Sequence, residues 1–123
     1  MSLRTPLGKA IGLGSAQSGA HHWWMQRVTA VALIPLALWF VWSLMSLLGA
    51  DQATVQQWIS QPLNAALLMA LVIAMFYHAQ LGLQVVIEDY VHTAWLEISL
   101  QILVKFAAII GALICTFAIV SVF

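Results

Sequence analysis

Residues 63–87, LNAALLMALVIAMFYHAQLGLQVVI, carry the strongest structural signal in the chain. This stretch contains no Lys, Arg, Asp or Glu, and it exceeds the roughly 20 residues that a helix needs to cross the hydrocarbon of a bilayer. Two further stretches have the same character, Val28–Gly49 and Ile98–Phe123, the second interrupted only by Lys105. We therefore predict an all-α membrane protein with three transmembrane helices, at about 22–49, 63–89 and 95–122.

The composition agrees with a chain that lies mainly in lipid. Hydrophobic residues make up 63% of the 123 residues and charged residues 7%, whereas a soluble domain carries about 25% charged residues. The length suits one domain, 1–123, in which residues 1–20 form an N-terminal segment outside the membrane. The net charge is zero, so no basic face for nucleic acid is expected, and the single cysteine excludes an internal disulfide.

The positive residues predict the orientation. Arg4, Lys9 and Arg27 come before or at the start of the first span, and the loop 50–62 has no Lys or Arg. Because cytoplasmic flanks of membrane helices are enriched in Lys and Arg, the N-terminus is expected in the cytoplasm. Three crossings then put the C-terminus on the periplasmic side and the 88–97 turn on the cytoplasmic side.

The first loop has its own local signals. Asp51 can cap a short helix over 51–60 that lies in the membrane interface. Ser60 is a candidate N-cap for the second span, and Pro62 falls in its first turn, where no amide donor is needed.

His78 is the one histidine deep within a span. A buried imidazole in hydrocarbon needs partners, so it is either hydrogen-bonded to a neighbouring helix or a metal or haem ligand. Gly82 shares its face one turn further on, where it leaves either a gap for a flat macrocycle or room for close helix packing. The other histidines lie at span ends, so a second axial ligand of a haem would come from another polypeptide.

A second group of polar residues collects at the cytoplasmic surface. Arg27 can bind a lipid phosphate, a haem propionate or a carboxylate such as Asp89. Tyr90 is either an interfacial aromatic residue or, with Asp89, a polar contact for a ligand with an apolar tail and a polar head. A quinone is such a ligand. His21 lies in the same group.

These residues carry a family resemblance. The run HAQLGLQVVIEDY, 78–90, closely resembles the second span of the small hydrophobic D-type anchor subunit of succinate dehydrogenase, respiratory complex II. The run HHWWMQRVTA, 21–30, resembles the entry of that family into its first span, and EISLQILVKF, 97–106, resembles the start of its third. The likeness covers the chain from about residue 21 onward.

The resemblance implies a membrane anchor subunit that is not catalytic alone. His78 would be one axial ligand of haem b, Tyr90 would donate a hydrogen bond to ubiquinone beside Asp89, and Arg27, His21 and Gly82 would lie near the propionates or the quinone pocket. The second haem ligand would come from a C-type cytochrome b anchor subunit. FAD and the iron–sulfur clusters would belong to the flavoprotein and iron–sulfur subunits, and the complex would lie in a bacterial inner membrane.

Rival interpretations remain at this point. A related anchor of quinol:fumarate reductase would carry the same residues, and a purely structural anchor would touch no cofactor. A small transporter subunit fits less well, because a transport path places polar residues through the membrane depth. Lys105 in the third span and Glu88 beside Asp89 have no assigned role.

Overall fold

The computed structural model describes the backbone of residues 6–123 and the side chains of Pro6 and residues 19–123. Four helices follow one another: α1 Pro6–Ser46, α2 Gln52–Ile59, α3 Pro62–Tyr90 and α4 Ala94–Val120. Three of them contain segments that are long and apolar enough to cross a membrane, Gly19–Ser46, Pro62–Tyr90 and Ala94–Val120. The prediction of an all-α protein with three membrane spans is confirmed. Arg4 and the side chain of Lys9, which the orientation argument used, lie outside the described residues.

The first helix differs from its predicted bounds of 22–49 at both ends. It begins at Pro6, well inside the segment assigned to the N-terminal 1–20 region, and it ends at Ser46. Gly49 adopts a left-handed conformation, with φ of +79°. Because residues with a Cβ rarely adopt this conformation, the glycine allows the sharp turn that separates α1 from α2.

The short helix α2 confirms that the 51–60 loop contains a helix capped by Asp51. Asp51 precedes it in an extended conformation, and its carboxylate accepts a hydrogen bond from the Thr54 amide at 2.9 Å. The Thr54 side chain and then its amide, as hydrogen-bond donors, lower the pKa of Asp51. The rings of Trp58 in α2 and Trp39 in α1 stack with centroids 5.7 Å apart, which holds α2 against the first span.

The prediction that Ser60 caps the second span is wrong. Ser60 is the C-cap of α2, and its amide donates to the carbonyl of Gln56. Gln61 precedes α3 in an extended conformation, with Pro62 at the first helical position as predicted. A residue that precedes proline is driven out of the α region, so the N-cap must be Gln61.

The third helix occupies the middle of the bundle. It packs against α1 on one side and α4 on the other, and it also contacts α2. Among the described side chains, the buried apolar ones are few, and all belong to α3: Ala65, Leu68, Leu81 and Ile87.

Candidate functional site

The contact between α1 and α3 is centred on Thr29 and His78. The Thr29 hydroxyl oxygen lies 3.0 Å from Nδ1 of His78, and Thr29 is buried with 7% of its surface exposed. His78 itself is half-buried. The imidazole is therefore held from one side by the first span, and its Nε2 has no hydrogen-bond partner among the described residues.

The face of α1 that points at α3 carries three polar residues at helical spacing, His22, Gln26 and Thr29. Nε2 of His22 and Oε1 of Gln26 are buried without a hydrogen-bond partner in the described part of the chain. An unsatisfied buried polar atom costs about 1–3 kcal/mol. These two atoms therefore call for a partner beyond the described side chains.

Gly82 lies opposite Gln26, one turn along α3 from His78. A Cβ built on Gly82 would meet only Nε2 of Gln26, at 3.9 Å, which is an ordinary van der Waals contact. Packing within the described part of this chain therefore does not require a glycine here. Gly82 therefore leaves space at this face of α3, which suits either a flat macrocycle or a closely packed helix of another chain.

The surface residues predicted from the sequence lie at the end of α3. Asp89 and Tyr90 are both exposed, Tyr90 with 79% of its surface. Glu88 accepts a hydrogen bond from Gln84 at 3.1 Å, and Gln80 donates to Gln84 at 3.3 Å. Gln80, Gln84 and Glu88 thus form a chain of side-chain hydrogen bonds along α3. Asp89 and Tyr90 are instead available to a partner at the end of the helix.

Arg27 and His21 lie on the exposed side of α1. The Arg27 guanidinium lies over the ring of Trp23, 5.4 Å from its centroid, a cation–π contact. The inward-facing histidine of the pair is His22, with its buried Nε2, and not His21. The sequence analysis did not single out His22 and Gln26, although their helical spacing with Thr29 was a signal that could have identified them.

Two grooves lie between α3 and α4, away from these residues. They have volumes of about 310 and 230 Å³ and share Phe76, Gln80 and Ala108 as lining residues. Lys105 lines the larger one. Tyr90 and Asp89 line neither, so a headgroup-level ligand at Tyr90 would need a further wall from another subunit.

The described residues offer single metal-ligating side chains and not a cluster of them. Within the described residues, no three His, Cys, Asp or Glu side chains converge in a way that could hold a metal ion. A haem makes a smaller demand, because the porphyrin supplies four nitrogens and the protein only the axial ligands. One half-buried imidazole beside a glycine is compatible with that demand.

The fold and the site define a class, a small three-span membrane protein with one histidine near the middle of a span. The sequence model for "Succinate dehydrogenase/Fumarate reductase transmembrane subunit" matches residues 1–120. The chain therefore belongs to this family, among its hydrophobic membrane anchor subunits.

Named relatives agree with that assignment. The succinate dehydrogenase hydrophobic membrane anchor subunit of Rickettsia bellii is 40% identical over 107 residues, 87% of this chain and 86% of the relative. That of Rickettsia conorii is 37% identical over 83% of this chain and 82% of its own. The subunit of Paracoccus denitrificans is 34% identical over 70% of this chain and 67% of its own. No solved structure matches the chain significantly.

Proposed function

We propose that this chain is the anchor subunit of a succinate:quinone oxidoreductase, in which His78 is an axial ligand of haem b and Tyr90 with Asp89 contacts ubiquinone. The observation that carries the proposal is the state of His78. One ring nitrogen is engaged by Thr29 at 3.0 Å, and the other has no hydrogen-bond partner among the described residues. A neutral imidazole of this kind is a common haem ligand.

Two features around His78 support the haem. Gly82 leaves space that packing within the described chain does not use. The buried Oε1 of Gln26 and Nε2 of His22 lack partners among the described residues, as expected where a further group is to be accommodated. When bound, haem b supplies a one-electron carrier within the membrane.

The partners follow from the size of the anchor and its family. Succinate oxidation with FAD and the iron–sulfur clusters belong to the flavoprotein and iron–sulfur subunits. A C-type cytochrome b anchor subunit would supply the second axial histidine, because the described chain has one histidine deep in a span. The residues of this chain would hold and orient the haem and the quinone, and the electrons would arrive from the partner subunits.

The quinone role belongs to the end of α3. The Tyr90 hydroxyl can donate a hydrogen bond to a quinone carbonyl, and the Asp89 carboxylate beside it can orient that hydroxyl or hold a proton. Both side chains are exposed at the helix end, where water can supply the protons that quinone reduction consumes.

The haem assignment is tested by His78→Ala in the purified complex, with His92→Ala as the matched control. His92 is exposed in the connection between α3 and α4. A reduced-minus-oxidised spectrum is expected to lose its low-spin b-type signal, or to become high-spin, in His78→Ala alone. A normal low-spin haem in His78→Ala would rule out the ligand role and favour a purely structural anchor.

The quinone assignment is tested by Tyr90→Phe, with Tyr77→Phe as the control from the same helix. Tyr77 lines the larger groove between α3 and α4. Loss of one hydrogen bond to the quinone is expected to lower quinone-dependent succinate oxidation about tenfold. Dye-dependent oxidation should persist, since it bypasses the anchor. Equal loss of both activities in Tyr90→Phe would contradict a quinone contact.

A further inference from the structure

The geometry around His78 points to Thr29, and we propose that Thr29 is a positioning residue that fixes the tautomer and orientation of this imidazole toward the haem iron. The inference rests on the haem role proposed for His78. It adds a residue of the first span to the haem site.

The direction of the hydrogen bond follows from the other contacts of the hydroxyl. Thr29 Oγ1 lies 2.7 Å from the carbonyl oxygen of Met25 and 3.1 Å from that of Gln26. A hydroxyl has one proton to donate. If it donated to His78, the 2.7 Å contact would join two oxygens with no hydrogen between them, which is repulsive. The hydroxyl therefore donates to the Met25 carbonyl, as buried Thr residues in helices often do.

The tautomer of His78 follows from this direction. The Thr29 oxygen can only accept, so Nδ1 of His78 carries the proton and donates across the 3.0 Å contact. In a neutral imidazole Nε2 is then the unprotonated nitrogen, with its lone pair available to iron. The tautomer is thus set by a backbone carbonyl of α1, acting through one buried hydroxyl.

The same contact fixes the position of the ring. The hydroxyl is held by its own helix and is buried, with 7% of the residue exposed. Rotation of the imidazole would break the bond to Nδ1 and leave an unsatisfied donor in hydrocarbon. Partners of this kind orient metal-bound histidines and raise their basicity, and their loss typically weakens metal binding 10–100-fold.

The experiment compares Thr29→Val, Thr29→Ser and Ser43→Ala in the assembled complex. Val removes the hydroxyl at similar volume, and Ser retains it. Ser43 is the matched control, because it is also buried in α1 and donates to a carbonyl four residues back, that of Trp39, at 2.8 Å. Haem per flavin, the rate of haem transfer to apomyoglobin and the haem midpoint potential are measured for each.

Thr29→Val is expected to release haem about 10–100-fold faster and to raise the midpoint potential, because a less basic imidazole stabilises ferric iron less. Ser and the Ser43 variant should behave as the unmodified complex. Unchanged haem release and potential in Thr29→Val, or equal changes in Val and Ser, would overturn the proposal.

A further variant, Thr29→Ala, distinguishes the loss of the hydroxyl from a packing defect caused by Val. Thr29→Ala removes the same hydroxyl with less bulk and should show the same rise in potential. Failure of both Val and Ala to assemble would contradict a positioning role, since the loss of one hydrogen bond should leave the helix packing intact. Low-spin haem in His78→Ala would show that the proposed haem role is wrong. Loss of this haem in His78→Ala, together with unchanged haem release and potential in the Thr29 variants, would show that only the positioning role is wrong.

Discussion

Each hydrogen-bonding atom of a side chain in hydrocarbon needs a partner, and at His78 the first partner comes from the same chain. The Thr29 hydroxyl is hydrogen-bonded to Nδ1 of the ring. Gln26 and His22 on the same face of α1 have buried atoms that find no partner among the described residues. The described part of the α1–α3 contact is thus polar, with two buried atoms whose partners lie beyond the described side chains.

Gly82 provides a prediction at the residue scale. Gly82→Ala should leave assembly and thermal stability unchanged, because its new methyl group would meet only Gln26 Nε2, at 3.9 Å. Haem per flavin should nevertheless fall, because the methyl group occupies space expected for the macrocycle. Haem content is measured by pyridine haemochrome against flavin. An unchanged ratio would show that the cofactor does not use this space.

The sequence could predict His78 but not its partner. The depth of His78 in a charge-free stretch was visible at once, and so was Gly82 on the same face. Which residues of α1 meet that face depends on the rotation of α1 about its axis. Apolar residues surround most of this helix, so its pattern fixes the rotation poorly. Sequence reasoning consequently chose His21, whereas His22 faces inward.

At the scale of the elements, α4 packs closely on α3 at Gly111. A Cβ built on Gly111 of α4 would lie 2.5 Å from Cε1 and 2.8 Å from Cζ of Phe76 on α3. The glycine therefore lets the aromatic ring lie directly against the backbone of α4, which is a usual role of small residues in membrane helix packing.

Gly111→Ala is accordingly expected to destabilise the packing of α4 on α3. Overpacking of this kind typically costs about 1–3 kcal/mol, measured as a lower thermal midpoint of the purified complex in detergent. Gly19→Ala is the control, because a Cβ there would meet nothing within 4 Å. The double variant Gly111→Ala with Phe76→Leu should recover part of the loss. Equal stability of the two single variants would contradict the account.

The elements themselves were largely predictable, and the exceptions have local causes. Length and the absence of charge identified all three spans, and Asp51 identified α2. Ser60 was misassigned because the residue before Pro62 must be extended, a constraint that outweighed the cap preference of a serine. The early start of α1 at Pro6 had no hydrophobic signal, since that part of the helix lies outside the apolar stretch.

At the scale of the whole molecule, the helices of this chain leave much of their apolar surface uncovered. None of the residues of α4 is buried, and the apolar side chains of all three spans are widely exposed. Lipid or other subunits cover these faces, which agrees with a membrane anchor subunit. The grooves between α3 and α4 are part of this uncovered surface.

The orientation of the chain is a prediction at this scale. The positive residues before the first span place the N-terminus in the cytoplasm, so Phe123 should be periplasmic. Alkaline phosphatase fused after Phe123 should be active, and a green fluorescent protein at the same place dark. Fusions within the 91–93 connection should show the opposite pattern. A fluorescent C-terminal fusion would reverse the orientation and move Tyr90 to the periplasmic face.

The most direct test of the central claim is an experimental structure of the assembled complex with its haem. The account predicts that the iron is bound by Nε2 of His78, that Nδ1 remains within hydrogen-bond distance of the Thr29 hydroxyl, and that the opposite axial ligand comes from another subunit. An iron bound only by residues of other chains, with the His78 imidazole directed at lipid, would contradict it.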